Sequence, residues 1–570
     1  MDAEPADLSF DTVKERARVR ASQSPPLLYF FVDFFSGVPM REYRVIFKPD
    51  GPTVLVHGGA TVLEAANRAG VILNTVCGGM GTCGKCMVEI EANGQKVLAC
   101  QHRVQRDLEI IVPPQARFFK PRILAHGMDR GITIGPAIRK KFPKFKDPTA
   151  GIFGVAIDVG TTTVVAKLVD LADGSCKGTA AVLNPQTRWG DDVISRIAHA
   201  QTEEGLEELH EAIIESVGSL ISELCEKANI TPWDICEVVA VGNTTMNHLF
   251  LKFPVKQLGQ APYKAHSAEA HDRDAGPLNL NMNPSGNVHT VENVASFMGS
   301  DTVAAALAVG MDTETKITLV VDIGTNGELL LGTKDKMYAA SCAAGPAFEG
   351  ARISCGSRAV AGAIEQIIVA NNDIELEVNG NCPPQSICGS GLIDAVAMLL
   401  NLGLVDSSGG FVEPSQIKDG IAKKLSSRLV EHDQQRAFVL AYNKENENEP
   451  VILTQQDVRE TQLAKGAIRA GLQLLQTKAG IKDTDIEQVL LAGAFGNYIR
   501  RQSALRIGLL PNVGPEKIHF VGNAAVVGAR MVLVSTRCRL LCEKLTQKIE
   551  YVETAGEPHF SKLFTEAVPF

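Results

Sequence analysis

The strongest constraint on the fold is a segment that occurs twice in the chain. Residues 154–170 read as an apolar strand that ends in aspartate, a Gly-Thr turn and a second apolar strand, and residues 318–331 repeat that order. Each copy is followed by a further apolar strand that runs into a glycine turn, at residues 238–245 and 489–497. This duplication predicts two pseudo-equivalent α/β halves with a cleft between them.

The repeated turn contains the residue types that a phosphate site needs. A strand that ends in Asp and then Gly-Thr places a carboxylate beside backbone N–H groups and a hydroxyl, which together bind phosphate. Asp158 and Asp322, one from each half, are the predicted catalytic pair, facing each other and holding Mg²⁺ or its waters. The sequence contains no G-x-x-x-x-G-K-[ST] motif, which excludes a P-loop. The alternative is a structural duplication in which the aspartates only form turns.

The nucleotide contacts are predicted in three short turns. The expected phosphate contacts are Gly160, Thr161, Thr162, Gly324, Thr325 and Asn326, and the expected adenosine contacts are Gly493 and Gly496. The turn Cys388–Gly391 is either another anion site or a plain helix start. Asp192 is expected to cap a helix that begins at Val193 rather than to activate water.

A second constraint is a group of cysteines near residue 80. Cys77, Cys83, Cys86 and Cys100 have the spacing C-x5-C-x2-C-x13-C, with four glycines inside the loop. Four thiolates in such a loop hold a [2Fe-2S] cluster in plant-type ferredoxins, and glycine allows the backbone to approach the sulfurs closely. A structural zinc site usually has two CxxC pairs, whereas this segment has one, so zinc and unliganded thiols are the weaker alternatives.

The flanks of the cysteine loop predict a β-grasp ferredoxin domain. Strands are expected at residues 42–48 and 53–57, and the sequence Thr61-Val-Leu-Glu64 is a capping box that opens a helix. Further strands are expected at residues 85–91, 96–100 and 108–112. The domain is therefore predicted to span about residues 42–115.

The bulk composition excludes several functional classes. The net charge of −9 over 570 residues gives no basic footprint for nucleic acid, so no nucleic-acid partner is expected. The nearest approach to a membrane span is the short run 27–35, which carries Asp33, so no membrane association is expected. Thirteen scattered cysteines without a signal-peptide pattern predict a cytoplasmic protein. The aromatic run 29–35 is expected to pack on a neighbouring domain or subunit, or else to dock a transient partner.

Residues 151–545 resemble the sugar kinase, heat-shock chaperone and actin superfamily of ATPases. The resemblance lies in two phosphate motifs, at residues 158–162 and 322–326, and an adenosine motif at residues 491–496. With a ferredoxin domain in front, the chain is similar to the reductive activators of corrinoid proteins. Further stretches match that family at residues 184–197, 241–249, 344–350, 387–394 and 521–525.

The resemblance implies an α/β and α+β multidomain protein, with a β-grasp [2Fe-2S] ferredoxin domain followed by a duplicated RNase H-like ATPase domain. The predicted units are an N-terminal extension (1–41), the ferredoxin-type domain (42–115), a basic proline-containing linker (116–150), two ATPase halves (151–310 and 311–545) and a C-terminal tail (546–570). The linker is expected to let the cluster domain swing relative to the ATPase body.

The resemblance also implies a function. Such a protein uses ATP and Mg²⁺ to pass an electron from its [2Fe-2S] cluster to the inactive Co(II) form of a corrinoid methyl-carrier protein, which regenerates Co(I). The implied electron donor is a reduced ferredoxin or a flavoprotein. The protein is expected to be either a monomer or a homodimer. The alternative is a ferredoxin-linked nucleotide-binding sensor or regulatory electron carrier without energetic coupling. A small-molecule kinase with a fused ferredoxin is the weaker third reading, since no catalytic base stands out.

Overall fold

The computed structural model describes most of the chain from residue 42 onward. The residues outside the described part are 1–41, 49–52, 70, 72, 74–85, 114–131, 142–150, 371–372, 418–419, 443–449, 494–498 and 555. The predictions for the N-terminal extension, the aromatic run 29–35, Cys77, Cys83 and Gly496 therefore lie outside the described residues.

The N-terminal domain has the predicted β-grasp architecture. Its elements are β1 (Glu42–Lys48), β2 (Thr53–His57), α1 (Val62–Arg68), β3 (Met87–Ile90), β4 (Gln95–Leu98) and β5 (Leu108–Ile111). The described strands form one sheet in the order β2-β1-β5-β3-β4, in which β1 and β5 are parallel. The predicted capping box is confirmed, because Thr61 N donates to Glu64 Oε2 at 2.6 Å and Glu64 N donates to Thr61 Oγ1 at 3.1 Å.

The first ATPase half is built on a six-stranded sheet of the described residues. Its elements are β6 (Phe153–Val159), β7 (Thr163–Asp170), β8 (Cys176–Leu183), α2 (Val193–His199), α3 (Glu203–Ala228), β9 (Ile235–Gly242), α4 (Thr244–Phe250), β10 (His271–Asp274), β11 (Asn287–Thr290) and α5 (Ser300–Val309). The strand order is β10-β11-β9-β6-β7-β8. The central strand β6 therefore lies between a parallel neighbour, β9, and an antiparallel hairpin partner, β7.

The second half repeats this plan and adds two small sheets. Its elements are β12 (Thr318–Ile323), β13 (Gly327–Gly332), β14 (Met337–Cys342), β15 (Ala363–Ala370), β16 (Asp373–Val378), β17 (Ser386–Ile387), α6 (Gly389–Leu402), α7 (Ile421–Leu425), β18 (Leu429–His432), β19 (Gln435–Ala441), β20 (Val451–Thr454), α8 (Gln455–Ala479), β21 (Gln488–Ala492), α9 (Arg501–Arg506), β22 (Ile518–Gly522), α10 (Ala524–Val534), α11 (Thr536–Lys548), β23 (Ile549–Tyr551) and α12 (Phe560–Ala567). The main sheet has the order β22-β21-β12-β13-β14-β23. The predicted duplication is confirmed, since β12 lies between parallel β21 and antiparallel β13.

Helices α5 and α10 pack against each other between the two main sheets. One buried cluster contains side chains from α5, α10 and α11 together with side chains from both sheets. The contact is close at Gly528, where a Cβ atom would lie 2.0 Å from the carbonyl oxygen of Ala304. Glycine is therefore required there for the backbones to approach, and the two halves share one continuous core at this crossing.

Part of the predicted linker lies on the ATPase body. Gly135 N donates to Val534 O at 2.8 Å, Thr536 N donates to Gly135 O at 3.0 Å, and Ile138 is buried. This differs from the expectation of a freely swinging linker over residues 116–150. The physical reason is burial of apolar side chains, because the isoleucines at positions 132, 134 and 138 pack into the core shared by the two halves.

The segment predicted as a C-terminal tail, residues 546–570, is also part of the second half. Strand β23 adds to the main sheet beside β14, in parallel register. Helix α12 lies on α8, where Val568 packs close to Gly466. Apolar side chains of this segment bury against the second-half core, which explains the ordered packing. None of the helices in the described part of the chain has the length and apolar character needed to cross a bilayer.

Candidate functional site

A cavity of about 250 Å³ lies in the cleft between the two ATPase halves. Both phosphate turns line it, together with the ends of the central strands. The predicted site residues in its wall are Asp158, Gly160, Thr161 and Thr162 from the first half and Asp322, Gly324, Thr325, Asn326 and Gly493 from the second. The structure thus brings together every predicted nucleotide contact that it describes, in a cavity between two domains where small ligands commonly bind. Their individual roles stay predictions.

The first phosphate turn is held from behind by buried polar side chains. Asn184 Nδ2 donates to Gly160 O at 2.8 Å, and Arg196 Nη2 donates to Thr161 O at 2.5 Å. Asn243 Nδ2 donates to the Thr161 hydroxyl at 2.9 Å. Because these bonds come from fully or nearly buried groups, the shape of this turn is fixed by the first half itself.

Arg196 is a site residue that sequence reasoning did not assign. Its side chain is fully buried, and it also donates to Gly190 O at 3.0 Å and to Gln186 Oε1 at 3.1 Å. Burial lowers the pKa of Arg196, which reflects the cost of holding a cation away from water. Arg196 lies in the stretch 184–197, which carries part of the family resemblance, and that match is the sequence signal that could have identified it. The predicted helix cap is confirmed, because Asp192 Oδ1 accepts from Ser195 N at 2.8 Å.

The two phosphate turns touch each other across the cleft. The hydroxyl oxygens of Thr162 and Thr325 lie 3.0 Å apart, and Thr325 donates to Glu349 Oε1 at 2.6 Å. This chain of three side chains joins the first half to the second at the cavity wall. Glu349 was also missed by sequence reasoning, although it lies within the matching stretch 344–350.

Buried carboxyl groups surround the cavity. Burial raises the pKa of both Asp158 and Asp322 to about 7, and that of Asp301 to about 6. Burial and neighbouring carboxylates raise the pKa of Glu328 well above its usual range. Asp301 belongs to no motif found in the sequence, and Glu328 lies in the second copy of the repeat, at residues 318–331, without a predicted role. Carboxylates are the protein ligands that Mg²⁺ prefers, so this wall can hold a hydrated divalent cation that stabilises their charged forms.

Gly493 lies directly against Asp322. Its φ is +85°, and a Cβ atom on it would lie 2.4 Å from Asp322 Oδ1. Both observations require glycine, so Gly493, at the described start of the predicted adenosine turn, packs directly on the second-half aspartate. The other predicted adenosine contact, Gly496, lies outside the described residues.

The turn Cys388–Gly391 opens a helix that points at the cavity. Helix α6 begins at Gly389, with Cys388 as its N-cap, and Cys388, Gly389 and Ser390 line the cavity. The helix start is therefore confirmed. An anion site at this helix N-terminus stays a prediction.

The described half of the cluster site has the geometry of paired metal ligands. Cys86 and Cys100 are both buried, and their sulfur atoms lie 3.4 Å apart. Two thiolates on one tetrahedral metal ion with metal–sulfur bonds of ~2.3 Å lie roughly 3.8 Å apart, so this pair fits a single iron. Gln101 Nε2 donates to Cys100 Sγ at 3.7 Å, and hydrogen bonds to ligand sulfurs tune cluster potentials.

Comparison with protein families covers nearly all of the described chain. Residues 42–112 match the 2Fe-2S iron-sulfur cluster binding domain, residues 153–314 match the RACo middle region, and residues 316–570 match the C-terminal domain of RACo, the ASKHA domain.

Two relatives and one solved structure agree with these family matches. The chain is 34% identical to the corrinoid activation enzyme RamQ of Eubacterium limosum, over 91% of this chain and 98% of the relative. It is 25% identical to a [Co(II) methylated amine-specific corrinoid protein] reductase of Methanosarcina barkeri, over 68% of this chain and 71% of the relative. A solved reductive activator for corrinoid, iron-sulfur protein has a TM-score of 0.69 at 31% identity, covering 93% of this chain and 98% of that structure.

These matches account for both predicted sites. The family models give the protein a [2Fe-2S] cluster in the N-terminal domain and an ATPase of the predicted superfamily, with ATP and Mg²⁺ as cofactors. The cysteine pair and the carboxylate-lined cleft fit these groups. The chain belongs to the family of reductive activators of corrinoid proteins.

Proposed function

We propose that this protein is an ATP-hydrolysing activator that passes one electron from its [2Fe-2S] cluster to the inactive Co(II) form of a corrinoid protein and so regenerates Co(I). The observation that carries the proposal is the match to a corrinoid activation enzyme over 98% of that relative's length, including both the cluster domain and the ATPase. The cluster supplies the electron, and the chain's own residues bind the nucleotide and couple its state to the transfer.

The coupling is needed because the electron moves uphill. A step of a few hundred millivolts costs several kcal/mol, at roughly 1.4 kcal/mol for each 59 mV of a one-electron transfer. A ligand shifts an equilibrium only by its differential affinity for two states, so ATP has to favour one arrangement of the protein. The Thr162–Thr325 contact joins the two halves at the cavity, and opening or closing of the cleft therefore changes it.

Several residue roles belong to this proposal. Asp158 and Asp322 hold Mg²⁺ or its waters, the two Gly-Thr turns bind the phosphates, and the glycine turn from Gly493 to residue 496 binds the adenosine. Cys77, Cys83, Cys86 and Cys100 ligate one cluster. The shared cavity wall and the paired sulfurs of Cys86 and Cys100 support these roles.

The finer partner predictions also belong here. We propose a reduced ferredoxin or a flavoprotein as electron donor, since a low-potential one-electron carrier has to reload the cluster. A homodimer and a cytoplasmic location stay predictions.

The test is an anaerobic titration of the corrinoid protein with the reductant held fixed. Co(I) should form only when Mg-ATP is present, measured by its absorption spectrum, and protein should contain about two irons per chain. The Cys100→Ser variant should lose iron and Co(I) formation, whereas the exposed Cys176→Ser is the matched control. Equal Co(I) yields with and without ATP at saturating partner would favour the sensor alternative.

A further inference from the structure

We propose that Asn523 is a positioning residue that couples the nucleotide cleft, through helix α10, to residues 132–141, which we call the tether. The tether lies between the cluster domain and the ATPase body in the chain. This inference rests on the proposed function, because it explains how the state of the cleft reaches the part of the chain that carries the cluster. It involves none of the predicted cluster ligands.

Asn523 makes two opposite hydrogen bonds at the start of α10. Its Nδ2 donates to Asp158 Oδ2 at 2.9 Å, and its Oδ1 accepts from Val526 N at 3.0 Å. The side chain is 6% exposed, so water competes little for either bond. A flipped amide would place its oxygen against the carboxylate, so the two partners fix one orientation. One side chain thus joins the first-half aspartate to a helix of the second half.

Helix α10 is packed so that its two ends move together. It has 11 residues and is therefore roughly 16 Å long. Val526 and Val532 are fully buried, and Gly528 contacts the backbone of Ala304 on α5. Close-packed interiors resist local deformation, so a displacement at the N-terminus of this helix reaches its C-terminus.

The C-terminal end of α10 holds the tether. Val534 O accepts from Gly135 N at 2.8 Å, and the next residue, Ser535, forms a β-bridge with Gly135. Thr536 N donates back to Gly135 O at 3.0 Å, and Ile138 is buried in the shared core. The same helix therefore contacts the proposed cation ligand Asp158 at one end and the tether at the other.

Helix α5 is the equivalent element of the first half and provides the internal control. Its first residue, Ser300, donates its N–H to Asn293 Oδ1 at 3.2 Å, so an asparagine also precedes this helix. Asp301 in its first turn raises the pKa of Asp322 through its charge, after the larger effect of burial. Its C-terminus ends at Gly310, in a left-handed conformation, whereas the backbone bonds of Gly135 go to Val534 and Thr536.

The direction of the effect follows from competition for Asp158. A cation or its waters in the cleft engage the carboxylate oxygens that Asn523 now binds, which weakens the Asn523–Asp158 bond. The start of α10 then loses one of its two fixed contacts. The tether bonds at the other end are expected to open more often, which frees the cluster domain to approach a partner.

The test is hydrogen exchange of the full-length protein, followed by mass spectrometry on peptides that contain Gly135 and Thr536. A non-hydrolysable analogue of Mg-ATP, at saturating concentration, should speed exchange of these amides at least about threefold. Exchange rates report the population of locally open states. Amides of Gly59 and Val104, which bond within the cluster domain, are the internal reference. Unchanged or slower exchange in the wild type overturns the proposal.

The Asn523→Ser variant separates coupling from simple loss of structure. Serine also caps helices, so α10 keeps its N-cap, but the amide donor to Asp158 is lost. We expect the nucleotide-dependent change in exchange to disappear at saturating nucleotide, with binding checked by calorimetry. Asn293→Ser, at the equivalent helix of the first half, should keep the change. An intact response in Asn523→Ser contradicts the proposal.

A second pair of variants tests the tether end. Ile138→Ala should speed exchange at Gly135 without nucleotide and leave ATP turnover unchanged, and Ile138→Val should restore the wild-type pattern. Thr133→Ala, at an exposed position of the same segment, is the matched control. The exchange measurement needs no corrinoid partner. Failure of Co(II) reduction therefore counts against the proposed function alone, and failure of the exchange response counts against the coupling alone.

Discussion

The two ATPase halves share one plan but hold their phosphate turns differently. The first turn is fixed within its own half, where Arg196 and Asn184 bind its carbonyl oxygens. The second turn has a backbone bond from Gly324 N to Asn326 O at 3.0 Å, and its Thr325 hydroxyl lies 3.0 Å from Thr162 Oγ1, in the opposite half. The contact between the two threonines belongs to both turns. The first turn, which we call the fixed wall, is in addition held by buried Arg196, Asn184 and Asn243, whereas the second turn bonds through Thr325 to Glu349 of its own half.

The helices that cross between the halves bring different groups to the cleft. Helix α10 brings an amide, Asn523, to Asp158, whereas α5 brings a carboxyl group, Asp301, whose charge raises the pKa of both Asp158 and Asp322. An amide stabilises the charged form of its partner and a second carboxyl group destabilises it. Burial dominates at both aspartates, and their pKa rises to about 7 in each case, so both halves depend on a cation to hold these groups in their charged form.

The largest expected effect comes from the paired aspartates. Asp158→Asn and Asp322→Asn should each lower ATP turnover at saturating Mg-ATP by about a hundredfold, because a charge that positions the cation beside the phosphates is lost. Phosphate release is the measurement, and the exposed Asp335→Asn is the matched control. Unchanged turnover in both variants would remove the cleft assignment, and a large effect in only one half would show that the halves are not functionally paired.

The fixed wall is tested by Arg196→Met. Removal of the guanidinium leaves the carbonyl oxygens of Thr161 and Gly190 without this donor, while the amide oxygen of Gln186 keeps a longer bond from Asn184 Nδ2 at 3.4 Å. Each buried unsatisfied acceptor costs about 1–3 kcal/mol, so unfolding free energy should fall by roughly 3 kcal/mol or more. Denaturant unfolding measures the loss.

A positioning role also needs a kinetic readout. Arg196→Lys keeps a buried cation but has one donor group instead of a planar fork, so it should restore part of the stability while KM for ATP stays raised. If Arg196→Lys restores both stability and KM fully, the arginine contributes only volume and a positive charge, and its hydrogen bonds do not shape the first turn.

Much of this architecture could be predicted because its signals are local. The strand–Asp–Gly–Thr unit and the Thr61–Glu64 capping box are set by residues close in sequence. Asp301 could not be predicted, because it reaches Asp322 only after α5 crosses between the sheets. The linker 116–150 was predicted to be loose from its prolines and basic residues. The isoleucines of the tether, which is the described part of that linker, bury against the end of α10, a surface that only the folded chain creates.

Protonation of one buried histidine, His248, should destabilise the first half at acid pH. Burial lowers the pKa of His248 to about 4, and its Nε2 accepts from the N–H groups of His266 at 3.1 Å and Ser267 at 3.2 Å. The folded pKa lies below the unfolded value, so the stabilisation is present above about 6.5 and is lost as the pH falls toward 4. Thermal unfolding between pH 7 and 5 should show a falling Tm.

The matched control for this acid effect is a histidine on the surface. His248→Gln keeps a side-chain acceptor for the two backbone donors but does not titrate, so its Tm should depend less on pH in this range. The exposed His432→Gln should behave as the wild type. The same pH slope in His248→Gln and the wild type would place the acid-sensitive group elsewhere.

The smallest expected effect concerns the contact that joins the two turns. Glu349→Gln keeps an oxygen that accepts from the Thr325 hydroxyl but removes the charge, and charge-assisted hydrogen bonds are roughly twice as strong as neutral ones. A loss of about 1 kcal/mol in that contact corresponds to about fivefold in an equilibrium constant, which should appear in KM for ATP with kcat nearly unchanged. Glu349→Ala removes the acceptor and should change KM further. Steady-state ATP turnover measures both. If Glu349→Gln instead lowers kcat a hundredfold, Glu349 acts on the reacting water, and the second half contributes a catalytic group that the first half lacks at its own turn.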